Sequence, residues 1–529
     1  MSTPENLFEP PVRHTAPSEA AVPSGAAVPQ EQPRPAGGRG RTIALVGGIL
    51  AIVAVGAGGA VVFNQVSGGG AQPESVMPGT TIAFAKVDLD PAAGQKLDAI
   101  RFVRRFPAAE GKVKDDSDLR EVIIKALEED GQLKGIDYAK DIEPWLGQRI
   151  GVGAVPGADG SSKPTVVVAL AVTDKGKAEA SLPKLTDATG GACQVLEAYA
   201  VCTDTTKKLA GVVSATAKGT LADSTNFAKD MAELGEDGVA ASWFDAGKAD
   251  GLLGGASGGL FGAIPGSLMG ASPSSTGGVG KGRVAVALRF DGPHLELAGH
   301  TSGGTTSFAG KATASSIEAL PKDTLAAVTV ANAGDQLKAG WPELEKGFKS
   351  MAGDQEFTDG LAQAQDALGI KLPDDLYAAL GSQFSVAFGG LGADASDLKV
   401  AVVSNGDKAV LQKLADSAGE LMGSVEPSGG GALTLKSAGD RTVVSLTDDY
   451  ADEIASGSGL GDTAGFKEAV KDSGKAQIVG YVDIAGLLTA FKDEVPADEA
   501  KNLGALSALG FSVTGDGGSS DFSLRLTTK

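Results

Sequence analysis

Cysteine, histidine and aromatic residues are scarce in this chain of 529 residues: two Cys, three His and 5% Phe, Trp and Tyr. Two cysteines cannot furnish a zinc set, and Cys193 and Cys202 lack the C-x-x-C spacing of a redox pair. His14, His294 and His300 form no H-E-x-x-H string. The segment Gly277-Gly278-Val279-Gly280-Lys281-Gly282-Arg283 approaches a phosphate loop. However, Ser275 stands where the first Gly is required, and Gly282 follows the Lys where Ser or Thr is needed. The D-x-[DN]-x-[DN]-G order of a calcium loop is missing as well. Positive charge is also in deficit, with 46 Lys and Arg against 66 Asp and Glu, a net charge of −20. That balance excludes nucleic acid as a partner, because phosphate contacts need a basic surface. These absences predict a protein that is not an enzyme and carries no cofactor or metal.

Charge of either sign is missing from residues 42–63, from Thr42 to Phe63, a run of 22 residues. About 20 apolar helical residues cross a bilayer's hydrocarbon core, so the run reads as one transmembrane helix and the membrane as a partner. Arg39 and Arg41 precede it, and no Lys or Arg follows until Lys86. Basic residues stay on the cytoplasmic side, which places the N-terminus inside and the large C-terminal region outside. A cleaved signal would have a shorter leading region and an A-x-A site, and a buried core helix would have a polar face. An uncleaved signal-anchor fits better than either.

Residues 1–41 hold eight prolines, no Lys and a balanced set of Glu and Arg. Such a stretch cannot bury enough surface to offset its ordering entropy and reads as a disordered cytoplasmic tail. Residues 64–76 read as a linker. The outer region carries the whole negative charge, which suits solubility outside the cell. There, oxidation of Cys193 and Cys202 across a short hairpin is expected.

The outer region repeats itself. Met77-Pro78-Gly79-Thr80-Thr81-Ile82-Ala83-Phe84 parallels Leu320-Pro321-Lys322-Asp323-Thr324-Leu325-Ala326-Ala327. Leu146-Gly147-Gln148-Arg149-Ile150 parallels Leu380-Gly381-Ser382-Gln383-Phe384, each a short helix, a Gly stop and a strand. Phe227 matches Phe466, and Trp243-Phe244-Asp245 matches Tyr481-Val482-Asp483. Both halves close on paired alternating strands, 283–290 with 294–301 and 505–514 with 519–528. The reading is α+β: two outer units, 77–310 and 311–529, of antiparallel or mixed sheet with packed helices.

The M-P-G-T-T-I-A-F start, the F-K-E-A-V helix at 466–470 and the G-Y-V-D-I-A-G-L segment at 480–487 resemble the DUF3352 family of bacterial envelope proteins. The resemblance spans about residues 75–528. It implies a membrane-attached envelope protein and supplies no catalytic residue.

Few positions invite a functional reading. Asp245 and Asp483 recur after aromatic strands; capping of the following helix and a shared ligand site are both open. His294, Glu296 and His300 share one strand face and could approach a metal, or could be plain sheet-face residues. Asp374-Asp375 and Asp448-Asp449 stand where helices should begin, the favourable end of the helix dipole. Residues 251–282 interleave Leu260, Phe261 and other apolar side chains with Gly and Ser, a loop absent from the second half. It reads as a connector or as an apolar flap over a groove. The expected function is a non-catalytic binding or interaction domain on a membrane anchor. Its partner is an envelope protein or a hydrophobic ligand, with 251–282 as the lid in the latter case. A site invisible to motif reading is the remaining alternative.

Overall fold

The computed structural model describes residues 70–89, 93–107, 120, 135–158, 163–249, 282–292, 294–303, 314–391, 398–425, 433–457, 459–492, 494–516 and 518–529. The tail 1–41, the apolar run 42–63 and nearly all of the Gly-rich segment lie outside these residues. Among the described residues no helix is long and apolar enough to cross a membrane.

Among the described residues, sixteen strands form one sheet. In unit 1 they are β1 (Ala83–Asp88), β2 (Leu146–Val155), β3 (Thr165–Val172), β4 (Ala192–Leu196), β5 (Tyr199–Thr203), β6 (Ala240–Asp245), β7 (Arg283–Asp291) and β8 (His294–Ser302). Unit 2 supplies β9 (Ala326–Ala331), β10 (Gln383–Leu391), β11 (Leu398–Ser404), β12 (Thr434–Ala438), β13 (Arg441–Ser445), β14 (Ile478–Asp483), β15 (Leu506–Asp516) and β16 (Ser519–Thr528). Read outward from the centre, unit 1 runs β8-β7-β6-β1-β2-β3-β5-β4 and unit 2 runs β16-β15-β14-β9-β10-β11-β13-β12. The two orders are the same. The last strand of each unit pairs antiparallel with the last strand of the other, so the halves are related by a pseudo-two-fold axis between β8 and β16. All named strand pairs are antiparallel, and the mixed sheet that the sequence left open does not occur among them.

Alternation puts one residue in two on the helix-covered face. In β6 the buried positions are Ala241, Trp243 and Asp245. Phe227, from the helix Thr225–Leu234, stands edge-on to both Phe84 and Trp243, with centroids 5.8 and 5.6 Å away. Phe466 packs on Tyr481 in unit 2 at 5.4 Å. Each of these helices begins at a hydroxyl cap, Ser224 or Thr463, that accepts from the Phe backbone N–H. Full burial of such aromatics contributes about 2–3 kcal/mol apiece. Asp374-Asp375 and Asp448-Asp449 do occupy first helical turns. Cys193 and Cys202 face each other in the β4–β5 register and are bonded.

Two features were not read from the sequence. A helical hairpin, Ala333–Ala352 and Asp354–Leu368, precedes β10, where only a short helix was expected. Apart from Ala333 and Gly334 at its root, neither helix has a buried residue, and Leu344, Phe348 and Met351 are among the most exposed large apolar side chains described. The second is a strap. Residues 70–76, read as linker, lie on unit 1, with a 3₁₀ turn at Pro73–Val76. Lys86 Nζ reaches Glu74 Oε1 at 2.9 Å and Asp237 Oδ2 at 2.7 Å, and it is nearly buried. Burial alone would lower its pKa, but the charges and hydrogen bonds of Glu74 and Asp237 outweigh that and raise it. Aligning β1 on β9 puts buried Ile317 at the place of Glu74 and Thr329 at that of Lys86, so unit 2 has no ion pair there.

Removing one partner of a buried pair strands the other charge, at a cost of about 3–5 kcal/mol. Lys86→Met is therefore expected to lower stability by about 3 kcal/mol in urea unfolding. The Glu74→Ile/Lys86→Thr double variant, which copies unit 2, should recover most of the loss. A double variant as weak as the single one would show that the strap is held by something else.

Candidate functional site

The recurring aspartates sit at equivalent places, at the end of β6 and of β14. Asp483 Oδ1 accepts from Gly486 N at 2.8 Å and caps the helix Ile484–Ala490. Asp245 Oδ1 accepts from Lys248 N at 3.2 Å. Beyond this shared cap the two units diverge. In unit 1, Lys248 folds back over Trp243 and donates from Nζ to the carbonyls of Gly79 and Thr81, both at 3.2 Å. Burial, aided by the charge of Arg283 and opposed by Asp245, lowers its pKa. In unit 2 the residue three past the aspartate is Gly486, and the space is open.

That opening is a cleft of about 600 Å³. Leu325, Leu391, Ala485 and Ala490 give it apolar walls, while Asp323 and Thr489 supply polar atoms. Glycine lets the surrounding chain pack closely here. A Cβ on Gly486 would stand 2.6 Å from Leu325, one on Gly390 2.9 Å from Leu325, and one on Gly389 2.7 Å from Tyr450. Gly390 also has φ +94°, at a register shift between β10 and β11. It is a broad depression largely open to solvent, with polar and apolar lining in similar share. The arrangement can shelter an apolar group and hydrogen-bond a polar end. It holds no paired acid and base and no activated nucleophile.

A second, polar cavity of about 220 Å³ lies where the units meet, between Glu233 of unit 1 and Lys471 and Asp472 of unit 2. His300 Nδ1 is 2.7 Å from Asp521 Oδ1 across the β8–β16 pair. Glu296 is buried and bonded to Arg289 at 2.8 Å and Ser523 at 2.7 Å, with Lys471 at 3.5 Å. Arg525 bonds Asp291, and His294 Nδ1 accepts from Thr528 N at 3.3 Å. No group of three or more His, Cys, Asp or Glu suited to a metal occurs among the described residues. The three residues singled out on β8 therefore serve the seam. Leu260 and Phe261 lie outside the described residues, as does Gly255-Ala256-Ser257-Gly258-Gly259, which spells G-x-S-x-G. That string carries chemistry only as a sharp strand-to-helix turn.

A model of the family "Protein of unknown function (DUF3352)" matches residues 44–216. That stretch is similar to DUF3352. It takes in the Met77–Phe84 start and the strap, whereas the F-K-E-A-V and G-Y-V-D-I-A-G-L segments fall beyond the matched DUF3352 residues. No curated protein matches the chain. A solved structure described as crystal form I of TP0453 is similar at a TM-score of 0.24 and 8% identity, over 46% of this chain and 82% of that one. So slight a likeness carries no argument.

The seam between the two units carries ion pairs beside its apolar contacts, so it responds to pH. Burial would raise the Glu296 pKa, but the bonds from Arg289 and Ser523 and the charges of Arg289 and Lys471 prevail and hold it at about 2. Its contribution is present above 4.5 and is lost as pH falls toward about 2. His300 behaves oppositely. The bond to Asp521 raises its pKa against burial, helped by the charges of Asp521, Asp230 and Glu233. That contribution is full below 6.5 and is lost as pH rises through the raised value. Urea midpoints followed against pH should therefore lose their acid slope in Glu296→Gln and their near-neutral slope in His300→Gln. Unchanged profiles would contradict the assignment.

Proposed function

We propose that this chain is a single-pass envelope protein, N-terminus cytoplasmic, whose duplicated extracytoplasmic body binds an apolar ligand without transforming it. The apolar run 42–63 and the Arg39 and Arg41 flank support the anchor and its direction. The observation that carries the ligand reading is the contrast at the two capping aspartates, a lysine plug in unit 1 against an open depression with partly apolar walls in unit 2. Asp323 and Thr489 suit a ligand with a polar or cationic end, such as a lipid or another long-chain amphiphile. A second reading, docking to an envelope protein, is favoured by the exposed Leu344, Phe348 and Met351 on the helical hairpin.

The test is a comparison of full-length proteins purified from their own membrane, wild type and Ala485→Trp/Ala490→Trp. Both alanines line the cleft, and Ala490 is exposed, so bulk fills it from the rim. Mass spectrometry of the extracts should show one amphiphile class enriched in the wild type and reduced about tenfold, or about 1.4 kcal/mol, in the variant. Thermal unfolding of the two ligand-free proteins should coincide. Equal content in both, or none in either, overturns the ligand reading and leaves the hairpin as the binding surface.

A further inference from the structure

The strap changes how far the body can stand from a bilayer. Tyr199 Oη donates to Ala71 O at 2.8 Å. Lys86 Nζ holds Gln72 Oε1 at 3.4 Å and Glu74 Oε1 at 2.9 Å. Pro73 lies on the backbone of Gly151, where a Cβ would come within 2.5 Å of it, and Arg149 stands beside Gly70. Glu74 and Val76 are buried. Unit 2 carries the same element, the 3₁₀ turn Ser315–Ala319 with Ile317 fully buried, at the same place before β9. The strap is thus a part of each unit's fold and not an incidental contact of a passing linker.

The fold is therefore gripped from residue 70 onward, and six residues, 64–69, separate it from Phe63. Six residues reach at most about 20 Å when fully extended. We infer that, on the single-pass reading above, the body has no stalk: it is held at the lipid surface with the strap end of unit 1 turned toward the bilayer. That end collects the finish of β1 at Asp88, Arg149 near the start of β2, Tyr199 at the start of β5, and Asp237 before β6. There Arg149 pairs with Asp88 at 2.8 Å, and Lys86 with Glu74 and Asp237. Glu197 and Glu236 are exposed there.

The test uses the full chain with its disulfide intact, reconstituted into phosphatidylcholine vesicles carrying an energy-transfer acceptor on the headgroups. The donor is attached at Glu236→Cys, beside the strap, or at Asp440→Cys, in the β12–β13 turn on the far edge of the sheet. Flotation with the vesicles reports the anchor. Transfer is expected to be strong from position 236 and weak from 440. Inserting about twenty Gly and Ser residues after Ser67 should cut the signal from 236 by about twofold, with flotation unchanged. Equal transfer from the two sites, or indifference to the insertion, overturns the short tether while the anchor stands. Protein that fails to float overturns the anchor and the tether together.

Discussion

The edge-to-edge pairing of β8 with β16 is the constraint on which the architecture depends. An exposed strand edge is an open template for association, and each unit alone would leave one at its final strand. The two-fold relation makes these edges self-complementary. Glu296 and His300 stand four apart on β8, and Asp521 and Arg525 stand four apart on β16. Antiparallel register then sets His300 opposite Asp521 and Glu296 opposite Arg525. On the other face Phe522 lies across Gly299, where any Cβ would collide with its ring. One strand pair thus joins two eight-stranded halves through complementary charge above and a glycine-made contact below, and no flexible joint separates them.

Much of the fold was legible because duplication supplies an internal control. The matches of Phe227 with Phe466 and of Trp243 with Tyr481 located both cores, and the Cys193–Cys202 spacing located a hairpin. The shared sheet was not legible, since edge pairing between distant strands leaves no local periodicity. The helical hairpin was concealed for a different reason. Leu337, Trp341, Leu344, Phe348 and Met351 follow a heptad rhythm, but Gly340, Pro342 and Gly347 interrupt it with the residues that usually end helices.

The candidate site was half legible. Asp245 and Asp483 could be found because they recur, and their capping bonds are those expected of carboxylates before a helix. The cleft could not be found from them. Its walls pack closely because Gly389, Gly390 and Gly486 present no Cβ to Tyr450 and Leu325, and its meaning appears only beside Lys248 in the sibling unit. The strap escaped notice because Gly70 to Val76 is short and turn-rich, and its hold comes from Lys86, Gly151 and Tyr199 far along the chain.

The central position of β16 has a consequence for biogenesis. The chain is made N-terminal end first, so the strand that seals the middle of the sheet is completed after all the others. Until Ser519–Thr528 arrives, β8 waits with one edge bare and β15 lacks a neighbour. The last step of synthesis thus closes the seam, and until then two strand edges stand open to association.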